Sequence, residues 1–213
     1  MTPYYERDGI TIYHADCREI AAELAYDVIV SDPPYGTGQR VAYDVYRDYM
    51  PQWRELMAWL LSQTRPMVFT LSHTRLFDLE KRPQWIGCWD KVNTNAITWL
   101  GAGPTWEPIC FYNMPIPKGG RPSTRWDDVL RYAIDWRTDL DEHPCRKPIA
   151  LYRRLISIMP EGAVFDPCMG TGTTLRAAKD LRRRAIGCDV SERYCEIAAQ
   201  RLAQDVLDLV YQS

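Results

Sequence analysis

Two spacings of apolar residues alternate along this chain. Short continuous apolar runs predict buried strands, whereas apolar residues three or four positions apart predict amphipathic helices. The helical spacing is clear at 148–158, where Pro148 suits the first turn. The pattern predicts strands at 26–31, 67–71, 88–100, 107–112, 163–166 and 185–189, and helices at 17–25, 52–64, 74–80, 148–158, 173–183 and 191–206.

The two ends of the chain differ from its middle. Residues 4–14 alternate around the turn pair Asp8-Gly9, which predicts a hairpin or an edge strand. The last third alternates helix and strand, as is typical of a mostly parallel sheet, and we therefore predict an α/β fold. Residues 113–126 are rich in proline, glycine and basic side chains, which predicts an irregular segment.

Composition limits the possible classes of protein. A length of 213 residues suits a single domain with a full core. The net charge is only −2, so contact with nucleic acid requires a local basic patch. The seven cysteines form no Cys-x-x-Cys pair and the three histidines do not cluster, which argues against disulfides and against a metal site. With no signal peptide and no apolar run long enough to span a membrane, we expect a cytoplasmic protein.

A glycine-containing loop follows the predicted strand 163–166. Gly170 and Gly172 allow the backbone to pass close to a ligand. The helix that begins near Thr173 favours a negatively charged group at its amino terminus. The alternative interpretation is a loop whose glycines serve only tight packing between strand and helix.

The residues around this loop favour a nucleoside ligand. Asp189 ends the next predicted strand, where a carboxylate can accept hydrogen bonds from both hydroxyls of a ribose. A dinucleotide site would require a third glycine at the position that Leu175 occupies. We therefore predict a nucleoside cofactor without a pyrophosphate, and a nicotinamide dehydrogenase is disfavoured.

A second loop, Asp32-Pro33-Pro34-Tyr35, follows the predicted strand 26–31. An exocyclic amino group of a base is a poor nucleophile because its lone pair is delocalised into the ring. The Asp32 carboxylate and the Pro33 carbonyl are two acceptors that could bind its hydrogens and direct the lone pair at an electrophile. The prolines stiffen the loop, and Tyr35 offers a face on which a flipped base can stack. A rigid surface turn is the alternative interpretation.

With both loops in view, the chain resembles the β class of DNA amino-methyltransferases, which use S-adenosyl-L-methionine. In that class the Asp-Pro-Pro-Tyr motif precedes the cofactor loop, as it does here. The stretch from His143 to Pro148 is similar to the His-Pro-x-x-Lys-Pro element of the class, and 106–109 and 186–202 are similar to its late strand and its ending.

The resemblance implies a single Rossmann-like domain over 1–213, with a mostly parallel seven-stranded sheet, one antiparallel strand and a circularly permuted motif order. It implies a short target-recognition insert at 113–142. It also implies direct in-line methyl transfer to the N6 of a flipped adenine, with Asp32, Pro33, Pro34 and Tyr35 as catalytic residues. The implied cofactor-binding residues are Asp16, Lys147, Phe165, Asp166, Pro167, Cys168, Gly170, Thr171, Gly172, Thr173, Thr174 and Asp189.

The expected partner is double-stranded DNA, bound by a monomer or a homodimer. Lys118, Arg121 and Arg125 are interleaved with Trp126 in the irregular segment, while Arg40 and Arg47 follow the Asp32 loop. These cations are candidate phosphate contacts, with a solvated basic loop as the alternative. Two alternative functions stay open, namely a cytosine-N4 methyltransferase and a non-catalytic nucleic-acid-binding module of the same fold.

Overall fold

The computed structural model describes residues 1–36, 50–94, 101, 103–116, 125–134 and 147–204. These residues form a nine-stranded sheet with helices on both faces. The strands are β1 (Tyr5–Arg7), β2 (Ile10–His14), β3 (Val28–Ser31), β4 (Met67–Thr70), β5 (Trp85–Asp90), β6 (Trp106–Tyr112), β7 (Val129–Arg131), β8 (Val164–Asp166) and β9 (Ala185–Asp189). The helices are α1 (Cys17–Ile20), α2 (Met50–Ser62), α3 (Ile149–Ile158), α4 (Thr173–Asp180) and α5 (Glu192–Ala203).

The sheet order is β1-β2-β9-β8-β3-β4-β6-β5-β7. Without the two edge strands, the remaining seven match the predicted sheet, and β6 is antiparallel to both of its neighbours. The expectation of seven strands is corrected to nine, because β1 and β7 extend the two edges. β7 has only three residues, which is too short to show a spacing in the sequence.

Alternation along the central strands divides the core into two layers. Val28 and Val30 face α3, α4 and α5, whereas Ile29 between them faces α1 and α2. Each strand side chain points to the opposite face from its neighbour, so a fully apolar run serves both layers. Apolar runs such as β3 and β4 therefore occupy the centre of the sheet, as the sequence predicted.

Several element boundaries differ from the predicted ones. The hairpin at 4–14 is confirmed, with Asp8 and Gly9 both at positive φ in its turn. The helix predicted at 74–80 is a 3-10 helix, His73–Asp78. The strand predicted at 88–100 is Trp85–Asp90, and 95–100 lie outside the described residues.

The strand order of the sheet reverses between β8 and β3, which are adjacent and parallel. The connection from β8 through α4 leads to β9 on one side, and the connection from β3 through α2 leads to β4 on the other. Crevices of this kind, at the carboxyl ends of the strands, are where open α/β sheets bind ligands. Both candidate loops begin there.

Candidate active site

Asp166, at the end of β8, joins the two candidate loops. The Ser31 hydroxyl at the end of β3 donates a hydrogen bond of 2.7 Å to Asp166 Oδ1. The Cys168 backbone N–H donates to the same oxygen at 3.1 Å. The carboxyl is 1% exposed, and this burial raises its pKa to about 7, although hydrogen bonds from Thr174, Ser31 and Cys168 act in the opposite direction. Asp166 is therefore an internal brace between the strands.

The glycine loop takes a conformation that favours glycine. Gly170 has φ +51° and Gly172 has φ +82°. A Cβ at Gly172 would lie 2.9 Å from the Cβ of Ala198 on α5, which is closer than Cβ atoms approach. Arg201 on α5 donates to the Thr171 hydroxyl at 2.9 Å. Close packing against α5 thus sets the path of the loop.

The Asp189 carboxylate is oriented by backbone donors at the end of β9. Its Oδ2 accepts from the Gly170 N–H at 3.0 Å, and its Oδ1 accepts from the Ser191 N–H at 2.9 Å. Asp16 lies at the same edge of the sheet, since β2 pairs with β9 and His14 lies opposite Asp189. Asp16 caps α1, and its hydrogen bond with the Arg18 side chain lowers the pKa of the carboxyl. Asp16 and Asp189 thus lie close together at the carboxyl ends of β2 and β9.

Asp32 accepts hydrogen bonds from residues that are far away in sequence. Its Oδ1 accepts from the Thr70 hydroxyl at 2.5 Å and lies 3.0 Å from the Tyr35 hydroxyl. Its Oδ2 pairs with the Lys147 ammonium at 2.9 Å. Thr70 in turn contacts the Tyr152 hydroxyl, at 3.0 Å, so α3 is connected to the Asp32 carboxylate.

The backbone after Asp32 is held by Arg75 of the 3-10 helix. Its Nε donates to the Tyr35 carbonyl at 3.2 Å and its Nη2 to the Gly36 carbonyl at 2.6 Å. Pro33 is buried and Pro34 is exposed. The loop is therefore fixed from both sides, by side chains at its start and by Arg75 at its end.

Glu107 on β6 is a buried carboxylate to which the sequence analysis gave no role. It is 8% exposed. Its Oε2 lies 2.6 Å from the Tyr35 hydroxyl, and its Oε1 pairs with Lys91 at 2.6 Å. Burial by itself raises the pKa of Glu107, but Lys147 and Lys91 more than offset it, so the pKa lies below its usual range. A single acidic residue in an otherwise apolar strand was the available signal.

A cavity opens between the Asp32 loop and the glycine loop. Asp32, Lys147 and Tyr152 line one side of it. The other side is lined by Asp166, Cys168, Met169, Gly170, Thr171, Thr173 and Thr174. The structure thus brings together the predicted catalytic carboxylate, Lys147 and most of the predicted cofactor loop.

Five of the predicted cofactor-binding residues do not line this cavity, namely Asp16, Phe165, Pro167, Gly172 and Asp189. The Phe165 ring is fully buried and packs against Tyr26 with ring centroids 4.7 Å apart. Pro167 is also buried. Phe165 and Pro167 therefore pack inside the protein.

The predicted DNA contacts are only partly described. Arg40, Arg47, Lys118 and Arg121 lie outside the described residues, as does most of the predicted recognition insert. The side chain of Arg125 is 90% exposed and pairs with Asp127 at 3.3 Å. Its neighbour Trp126 packs on Phe111, with ring centroids 5.1 Å apart, so much of its ring is unavailable to a base.

Among the described residues, no group of three or more His, Cys, Asp or Glu side chains could hold a metal ion. None of the described helices is long and apolar enough to cross a membrane.

Comparison with known families agrees with this architecture. The N6/N4 methyltransferase family, described as DNA methylase, matches residues 26–200. The chain therefore belongs to the N6/N4 DNA methylase family. The match includes the Asp32 loop, Glu107, Lys147 and the glycine loop.

Individual relatives extend over nearly the whole chain. The type II methyltransferase M2.LlaDCHI of Lactococcus lactis subsp. cremoris is 24% identical over 94% of this chain and 91% of its own length. The putative methylase YubD of Escherichia coli (strain K12) is 26% identical, over 88% of each chain.

Solved structures share the fold. The complex of M1.HpyAVI with SAM superposes with a TM-score of 0.64 at 24% identity, over 92% of this chain and 100% of that one. The cytosine-N4-specific PvuII DNA methyltransferase gives a TM-score of 0.68 at 16% identity, over 95% of this chain and 89% of that one. The chain is thus a DNA amino-methyltransferase with a mostly parallel, Rossmann-like α/β sheet, and its Asp32 loop precedes its glycine loop.

Proposed function

We propose that this protein transfers a methyl group from S-adenosyl-L-methionine to the N6 amino group of a flipped adenine in double-stranded DNA. One observation carries the proposal. Asp32, the carboxylate expected to hold the amino group, opens into the same cavity as the glycine loop expected to hold the cofactor. In-line transfer requires the acceptor and the methyl donor to meet in one crevice.

S-adenosyl-L-methionine is the methyl donor that membership of this family implies, and the residues of the crevice fit it. Asp189 is already oriented by two backbone N–H groups, as a carboxylate that receives ribose hydroxyls should be. Lys147 lines the cavity and suits the carboxylate end of the cofactor. When bound, the cofactor supplies an electrophilic methyl group.

The protein's own contribution is to hold the amino group of the base. An ionised Asp32 only accepts hydrogen bonds, and the Pro33 carbonyl is a second acceptor on the same stiff loop. Together they would bind the hydrogens of the amino group and direct its lone pair towards the methyl group. The amino group loses a proton during or after the transfer, so the mechanism requires no dedicated histidine base. Positioning and electrostatics would supply most of the rate.

The remaining proposals concern the extent of the domain and its contacts with DNA. We propose that 1–213 form one domain, that 113–142 contribute to target recognition, and that exposed cations such as Arg125 contact phosphates. A monomer or a homodimer, and a cytoplasmic location, stay predictions from the sequence.

The choice of adenine rests on Asp32. Within the class that the chain resembles, the cytosine-N4 enzymes more often have serine at the first position of the motif. The experiment is mass spectrometry of nucleosides from DNA incubated with the protein and S-adenosyl-L-methionine. We expect N6-methyladenine. N4-methylcytosine would overturn the choice of base but keep the transfer reaction, and cofactor binding without any methylated base would contradict DNA as the substrate.

A further inference from the structure

The apolar packing of β6 does not require the buried carboxylate of Glu107. The other residues of β6 that are buried are apolar or proline, apart from the Tyr112 hydroxyl at its end. Burying a charge is unfavourable unless partners compensate, and replacing buried ion pairs by apolar residues is often neutral or stabilising. A buried carboxylate beside a ligand cavity therefore calls for a functional explanation.

Glu107 belongs to a cluster that includes two carboxylates and two ammonium groups. Lys91 pairs with its Oε1 at 2.6 Å, and Lys147 lies 3.6 Å from its Oε2 and 2.9 Å from Asp32 Oδ2. The buried Trp89 ring supports both ammonium groups, with Lys91 at 5.3 Å and Lys147 at 5.9 Å from its centroid. Each carboxylate of the cluster thus has an ammonium partner.

The Tyr35 hydroxyl and the Lys147 ammonium each lie close to both carboxylates of this cluster. The Tyr35 hydroxyl has a single proton and lies 2.6 Å from Glu107 but 3.0 Å from Asp32, so Glu107 is the better acceptor. The Lys147 ammonium also lies between the two carboxylates, 4.7 Å from the centroid of the Tyr35 ring. Without Glu107, the Tyr35 hydroxyl would turn to Asp32, and Lys147, which is already closer to Asp32, would lose its contact with a second carboxylate.

The geometry points to Glu107 as a positioning residue for methyl transfer, which holds the Tyr35 hydroxyl and shares the Lys147 ammonium so that Asp32 can accept the amino group of the base. This inference rests on the proposed function, because it explains how the Asp32 loop is kept ready. Glu107 contacts neither the base nor the cofactor in this role. It acts through Tyr35 and Lys147.

A double-mutant cycle tests the inference. Single-turnover methylation of DNA is measured for the wild type, Glu107→Gln, Tyr35→Phe and the double variant. Glu107→Gln keeps the shape but removes the charge, and we expect it to slow transfer by about 10- to 100-fold, as expected for a misplaced catalytic group. Because the Tyr35 hydroxyl acts through its bond to Glu107, the double variant should be no slower than Glu107→Gln alone. Effects that multiply would overturn the inference.

The control is Glu161→Gln, which removes an exposed charge before the amino end of β8, whereas the candidate site lies at the carboxyl ends of the strands. It should leave the transfer rate unchanged. A wild-type protein that methylates no DNA contradicts the proposed function and this inference with it. A normal wild type with an equally fast Glu107→Gln contradicts the inference alone.

A second variant covers the case in which Glu107→Gln does not fold. Lys91→Met keeps the carboxylate but removes a cation that lowers the pKa of Glu107. Lys147, Tyr35, Asp32 and Tyr152 still face the carboxylate, and its pKa rises. The acidic limb of the rate profile should therefore move to higher pH, because Glu107 is then protonated sooner as the pH falls. An unmoved limb would overturn the inference.

Discussion

The glycine loop and the Asp32 loop lie at the same edge of the sheet but are held by different forces. The glycine loop is shaped by backbone conformation and by close packing of Gly172 on Ala198. The Asp32 loop is held by side-chain charges and hydroxyls that come from β4, β6 and the start of α3. Changes at the first loop should therefore affect packing and cofactor binding, whereas changes at the second should affect chemistry more than stability.

The largest effect is expected for Asp32→Ala. The change removes the carboxylate that would hold the amino group, and we expect methyl transfer to fall by about 1,000-fold or more. Calorimetric binding of S-adenosyl-L-methionine should persist, because the glycine loop is unchanged. A fully active Asp32→Ala would contradict the assignment of the Asp32 loop.

The next effect, at the other loop, is expected for Gly172→Ala. A Cβ at position 172 would lie 2.9 Å from the Cβ of Ala198, and the alanine would also have to adopt φ +82°. Strain of this kind costs about 1–3 kcal/mol, and displacement of the loop should weaken cofactor binding in calorimetry. The double variant Gly172→Ala with Ala198→Gly removes the contact but keeps the backbone strain, so partial recovery is expected. Full binding by the single variant would show that the loop tolerates a side chain.

Asp166→Asn tests the brace between the two loops. The pKa of Asp166 is raised to about 7 in the folded protein, above the ordinary value for an unfolded chain. Its contribution to stability is therefore complete at acidic pH and is lost as the pH rises through about 7. One unit of pKa corresponds to ~1.4 kcal/mol, so the wild type should lose a few kcal/mol between pH 5 and pH 8.

Asparagine does not titrate, so Asp166→Asn should flatten this dependence and be the more stable protein at pH 8. Denaturant unfolding at the two pH values measures the difference. The same slope in both proteins would show that Asp166 is ionised throughout.

The smallest effect is expected for Ser31→Ala, which removes one of the donors to Asp166. Loss of a buried hydrogen bond costs about 1 kcal/mol. The Ser31 bond also lowers the pKa of Asp166. Without it the pKa rises, so the variant should lose the contribution of Asp166 to stability at a higher pH than the wild type does. Thermal unfolding at several pH values measures both changes, and a Tm that stays constant would show that the bond contributes nothing.

The two loops differ in how far a sequence can reveal them, for a physical reason. The glycine loop depends on residues that are consecutive in the chain, so its pattern was readable. The network around Asp32 depends on contacts across large separations, such as Tyr35 with Glu107. Neither Glu107 nor Thr70 carries a local signal of its partner, and both were missed.

The sequence alone determined the α/β class, the central strands, the amphipathic helices and the two loops, because spacing and turn chemistry are local properties. Only the tertiary structure decided that β3 and β8 are neighbours and that β7 closes one edge. It also decided that Lys91 and Lys147 share Glu107. Strand order and register bring distant residues together, and no local pattern in a single sequence specifies them.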